Sequence, residues 1–144
     1  MTGAIDAELD ELAEEFDLLG DWEERYRYVI ELGRDLPPYP DEARDEAHKV
    51  KGCASQVWLL TRRLPDGRID FLGDSDAHIV KGLVAIMLRL YSGRRPEEIT
   101  AFDARGAVDR LGLSGALSSQ RANGLAAMVE RIRREAAAAD SSPA

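Results

Sequence analysis

A single cysteine, Cys53, occurs in the 144 residues, and its neighbours make it the first candidate for chemistry. It sits in Val50-Lys51-Gly52-Cys53-Ala54-Ser55-Gln56-Val57-Trp58, directly after a glycine and at the mouth of a strand-like run. Glycine permits positive φ or close approach of another backbone, so the thiol is expected on a tight turn from which residues 55–60 leave as a strand. A lone cysteine commonly serves as a small buried hydrophobe. Gly52, Ser55 and Gln56 are not typical core residues, however, and Lys51 and His48 offer the positive charge that favours a thiolate. The chemistry in view is attack by sulfur. A free-standing cysteine hydrolase would also need a general base, for which His48 is the nearest candidate.

Other chemistries find less support. One cysteine with two histidines, His48 and His78, lacks metal-ligand spacing, so no intrinsic metal or cluster site is expected. The glycine pair in Gly112-Leu113-Ser114-Gly115 has neither the lysine nor the preceding strand that phosphate binding requires. Asp74 and Asp76 lie two apart in Gly73-Asp74-Ser75-Asp76, read as a turn that caps a helix rather than an acid-base pair. Arg121 falls in the first turn of the last helix, where a cation opposes the helix dipole, so it is either an exposed arginine or one with a task.

The elements that position these residues can be read in order. Ile5, Leu9, Leu12, Phe16 and Leu19 recur at helical spacing up to Gly20, and Asp21 with Glu24 then opens a second helix ending at Gly33. Its aromatics Trp22, Tyr26 and Tyr28 are expected in core packing, since base stacking would need a basic groove. Leu36-Pro37-Pro38-Tyr39-Pro40 is a rigid connector, followed by a helical turn within residues 41–47. Residues 56–63 and 68–71 flank the turn Pro65-Asp66-Gly67 as a hairpin. Residues 77–91 form a central helix, apolar on nearly every face, in which Gly82 lets another backbone come close. Pro96 starts a short helix, Gly112 closes another, and Ser118 and Ser119 cap a last one carrying Leu125, Met128, Val129 and Ile132 on one stripe.

Size and 44% apolar content fit one domain over residues 1–144, with a tail fraying from about 137. With 19 basic and 27 acidic residues the net charge is −8, which argues against nucleic acid or an anionic membrane as partner and for one bearing a basic patch. No stretch is long and apolar enough to span a bilayer, and one cysteine makes no internal disulfide, so a reducing, cytoplasmic setting is expected. The fold class expected is α+β, a small antiparallel sheet packed against several helices.

Gly52-Cys53-Ala54-Ser55-Gln56-Val57-Trp58, with Gly73-Asp74-Ser75-Asp76-Ala77 and Lys81-Gly82-Leu83, resembles the SufE family, and so do Asp21 to Tyr26, Ile30 to Gly33, Leu36-Pro37 and the segment from Arg121 to Leu125. The resemblance implies a fold similar to IscU-type scaffolds. It also implies that Cys53 accepts persulfide sulfur from a pyridoxal-phosphate cysteine desulfurase of the SufS or CsdA kind, stimulates that enzyme, and passes sulfur to an iron-sulfur cluster scaffold. Such a protein is a sulfur-transfer accessory with no cofactor of its own. Arg121 matches the family arginine that stabilises the thiolate or persulfide, and Asp76 matches an acid on the loop beside it. His48 stands where relatives often have asparagine, and Lys51 and Ala54 replace residues often polar and uncharged, so His48 is a candidate for local tuning. The alternative is an adaptor that docks the desulfurase without carrying sulfur. Val50, Val57 and Trp58 are expected to form a dry recess for the thiol.

Overall fold

A computed structural model describes residues 4–53, 55–113 and 119–141. Among them are six helices and one two-stranded antiparallel sheet, the α+β arrangement expected. Helix α1 (Ala4–Asp17) buries Ile5, Leu9, Leu12 and Phe16 on a single stripe. Helix α2 (Trp22–Arg34) starts where Asp21 accepts a bond from the Glu24 amide at 2.9 Å, while the Glu24 carboxylate accepts from the Gly20 amide at 2.7 Å. Two orphan amides are thereby satisfied.

Helix α3 (His78–Tyr91) is the hub, touching α1, α2, α6 (Ser119–Ser141) and strand β2 (Ile69–Ser75). Its contact with α2 is backbone on backbone. A Cβ at Gly82 would lie 2.1 Å from the Val29 carbonyl oxygen, and one at Gly33 would lie 2.8 Å from the Gly82 nitrogen. Only hydrogens at both positions allow this approach. On the α1 side, Arg89 of α3 pairs with Glu8 and, at 3.0 Å, with Glu15.

Strand β1 (Val57–Arg63) pairs with β2 from Val57 opposite Ser75 to Arg63 opposite Ile69. The connecting turn closes through Leu64 N to Arg68 O at 2.8 Å and Gly67 N to Leu64 O at 2.9 Å. Two features depart from expectation. Residues 73–75, read as a turn and helix cap, are the end of β2, because Gly73 lets Val84 and Leu88 of α3 pack directly on the strand; a Cβ there would meet Val84 at 2.8 Å. The cap of α3 is instead Ala77, with no side-chain bond. Along the other edge of β1, Val50 N donates to Val57 O and Leu59 N to His48 O, both at 2.8 Å, so residues 48–50 add a short third rung.

Short helices α4 (Pro96–Ala101) and α5 (Ala104–Arg110) follow. Helix α6 then lays Leu125, Met128, Ile132 and Ala136 into the core. It continues to Ser141, past the point where a fraying tail is expected, since the alanine-rich run has the highest helix propensity. The proposed cap Ser118 lies outside the described residues. The aromatic expectation is corrected as well. Tyr28 packs edge-on against Phe16 at 5.4 Å, but Trp22 and Tyr26 are 38% and 39% exposed, because α3 covers the Val29 and Gly33 face of α2 and Ile79, Leu83 and Arg121 meet the two aromatics on one side only.

Candidate functional site

The backbone that carries Cys53 is tied down on both sides. Upstream, Val50 is held by β1; Lys51 and Gly52 then turn, with Gly52 at φ +92°. A side chain at 52 would be strained by that φ and would approach Ala127 of α6 to 3.3 Å. Downstream, Asp76 accepts from the Gln56 amide at 3.0 Å and from its side chain at 3.4 Å, and Ser75 Oγ donates to the Gln56 carbonyl at 2.7 Å. The loop therefore hangs between two staples, and its thiol lands on α6. Cys53 Sγ donates to the Gly124 carbonyl at 3.4 Å, in a helix position where a Cβ would sit 3.4 Å from the sulfur.

In front of the sulfur lies a cavity of about 240 Å³, open to solvent on one side. Val57, Ile79, Leu83 and Met128 make its walls apolar, and Arg121 is its one charged lining residue among those described. Burial pushes the Cys53 thiol above its ordinary range, so the free chain holds sulfur mainly as the protonated thiol. No group of three or more His, Cys, Asp or Glu side chains among the described residues gathers as metal ligands, and no described helix is long and apolar enough to cross a membrane.

A protein-family model described as "SufE: Fe-S metabolism associated domain" matches residues 10–136. The chain belongs to the SufE family. A SufE-like protein of Rhizobium meliloti, itself uncharacterized, is 53% identical over 131 residues, covering 89% of this chain and 94% of its own length. Another uncharacterized SufE-like protein, from Rhizobium etli, is 55% identical over 133 residues, covering 90% of each. Among solved structures, the solution structure of a hypothetical protein from Thermus thermophilus superposes with a TM-score of 0.77 over 94% of this chain and 97% of that one, at 22% identity. That likeness shows a shared fold. Membership of the SufE family brings with it a role in iron-sulfur metabolism and work alongside cysteine desulfurases.

Within this SufE fold the residues singled out from sequence divide into two groups. Cys53 and Arg121 line the same cavity, and Asp76 braces the loop beside them through Gln56. His48 and Lys51 do not supply charge to the thiol: His48 Nδ1 lies 2.7 Å from Asp45 Oδ1, and Lys51 Nζ lies 2.5 Å from Glu46 Oε2. The recess also has different walls from those expected. Val57 lines it, but Val50 is buried in the core behind the rung, and Trp58, on the opposite face of β1, lies under the Arg44 guanidinium at 5.2 Å. The walls come from α3 and α6 through Ile79, Leu83, Gly124 and Met128. Of these, Gly124 carried a readable signal, since an interior helix glycine costs about 1 kcal/mol against alanine and implies a packing reason.

Asp74, expected to cap a helix, is a buried anchor behind the loop. Its carboxylate meets Arg44 at 2.6 Å and Lys81 at 3.2 Å and accepts the Ser75 amide at 2.8 Å. Burial opposes its charge, but Arg44, the Ser75 amide and Lys81 outweigh that cost and hold the carboxyl below its ordinary range. A carboxyl whose pKa is lower folded than unfolded adds stability that is present above the unfolded value and lost as pH falls through the folded one. Asp74→Asn is therefore expected to cost about 2 kcal/mol at neutral pH. Denaturant titrations should show that difference shrinking as pH drops below about 4.

Proposed function

We propose that this SufE-family chain acts in the cytoplasm as the sulfur acceptor for a pyridoxal-phosphate cysteine desulfurase. It takes persulfide sulfur onto Cys53, stimulates the enzyme, and passes sulfur to an iron-sulfur cluster scaffold. The observation that carries this reading is a lone thiol on a glycine turn, facing an apolar recess with one cation in its wall. In the transfer, the Cys53 thiolate attacks the outer sulfur of the enzyme persulfide. The donor's S–S bond breaks, a new S–S bond forms on Cys53, and the donor cysteine leaves as a thiolate that takes up the proton Cys53 gave. No oxidant or reductant enters.

The raised thiol pKa makes the free chain a poor nucleophile, which suits a carrier that should react only with its donor. On this reading Arg121, in the wall of the recess, stabilises the anionic persulfide once loaded, and the apolar walls limit the approach of water and oxidants to the open side. A hydrolase reading lacks its base among the described residues, since no histidine lines the cavity in front of Cys53.

Intact-protein mass spectrometry after incubation with a desulfurase and free cysteine tests the proposal. The chain is expected to gain the mass of one or two sulfur atoms, lost again on reduction; an unshifted mass would refute it. Arg121→Ala is expected to slow single-turnover loading about tenfold while the melting temperature stays close to the parent's. Loading at the parent rate would leave Arg121 without a part in transfer.

A further inference from the structure

The aromatic face of α2 has no part in the site as described, yet it adjoins it. Trp22 and Tyr26 are four residues apart and so share one side of the helix, and Leu18 in the preceding turn is 86% exposed. Exposed large apolar groups gathered in one place mark interaction surfaces, whereas scattered ones need no explanation. These are gathered. A crevice runs from Trp22 and Tyr26 to Ile79, Leu83 and Arg121, and those last three residues also line the cavity in front of Cys53. The thiol recess and the α2 aromatics thus share three wall residues, so a partner that covers one lies beside the other. Around Trp22 and Tyr26 stand the exposed acids Asp17, Asp21, Glu23 and Glu24, which outnumber the exposed cation Arg27, itself 3.9 Å from Glu23.

From this we infer that Trp22 and Tyr26 are the docking anchors for the sulfur-donating enzyme, which presents an apolar patch rimmed by basic side chains to the α2 face. The inference rests on the acceptor reading of Cys53 and names the surface its donor uses. The physical reason is area. A donor must bring its sulfur into bonding distance of Cys53, and a specific interface buries about 800 Å² on each partner, far more than the mouth of the recess offers. The covering must extend sideways, and along α2 it meets two aromatic side chains of the kind that dominate binding energy. The acidic rim on a chain of net charge −8 selects a basic counterpart and speeds its approach.

The experiment measures desulfurase activity with free cysteine against increasing concentration of the full chain. The double variant Trp22→Ala, Tyr26→Ala is expected to raise the half-maximal concentration about tenfold or more, while a small-molecule persulfide such as glutathione persulfide loads its Cys53 as it loads the parent's. Glu23→Arg, at an exposed position where only a surface ion pair with Arg27 at 3.9 Å is lost, is expected to raise it about threefold at low salt and little at high salt. This variant decides the matter should the double variant fail to fold. Unchanged half-maximal concentrations would overturn the docking surface. So would a parent that sediments as a dimer beside a monomeric double variant, which would assign the face to a second copy. Failure of the parent itself to load from the desulfurase would instead overturn the acceptor reading.

Discussion

Cys53→Ser is expected to take up no sulfur at all from a desulfurase supplied with cysteine. The chain has no second cysteine to substitute, and a serine hydroxyl without a base is a negligible nucleophile at neutral pH. Loss of function would not be loss of fold. The hydroxyl can still donate to the Gly124 carbonyl, and the smaller oxygen forces nothing in an open recess. Loading should fall by at least about 100-fold in intact-mass measurements while thermal unfolding changes by less than about 1 kcal/mol. The same variant separates the two roles considered for the chain. If its stimulation of the desulfurase falls to baseline, sulfur acceptance drives turnover; stimulation at the parent level would make the chain a docking adaptor, and sulfur found on the serine variant would displace Cys53 from the assignment.

The largest effect on stability is expected at Gly82. An alanine methyl there would stand 2.1 Å from the Val29 carbonyl oxygen and 2.5 Å from a Val29 methyl carbon. The first obstacle is backbone, which no rotamer change can move, so α2 must be pushed off α3. Overpacking of this kind costs about 3 kcal/mol or more even after the helix-propensity gain of about 1 kcal/mol from removing a glycine. The melting temperature should drop by roughly 10 °C in a chain of this size. Gly20→Ala serves as the control. Its methyl would meet only the Glu24 carboxylate, at 3.5 Å, and the variant should lie within about 0.5 kcal/mol of the parent.

Gly82 also shows what could be read from sequence. A glycine inside a strongly apolar helix is costly without a close neighbour, so its reason could be read before the neighbour was known. The same logic placed Gly52 in a turn, and its φ is +92°. Trp22 and Tyr26 escaped because helical spacing tells which residues share a side, not whether anything covers that side. Asp74 was misread because Gly73-Asp74-Ser75-Asp76 has the composition of a turn. What keeps it extended is packing by Val84 and Leu88 and two cations from distant segments, none of it local. The rung at residues 48–50 is too short to show a period of two. For the site, Cys53 and Arg121 could be singled out by residue type and position and do line one cavity, whereas the recess walls come from α3 and α6, a matter of tertiary contact.

The bond from Cys53 to Gly124 spans 71 positions of the chain. During synthesis from the N-terminus, at about 5–20 residues per second, the cysteine is made roughly 4–14 s before the helix that walls its recess. For that interval the sulfur has the ordinary thiol pKa and no cover, and it meets oxidants and electrophiles as any unstructured cysteine does. The nascent chain is thus more vulnerable to irreversible oxidation than the finished protein. Truncation before α6 would make that vulnerability permanent.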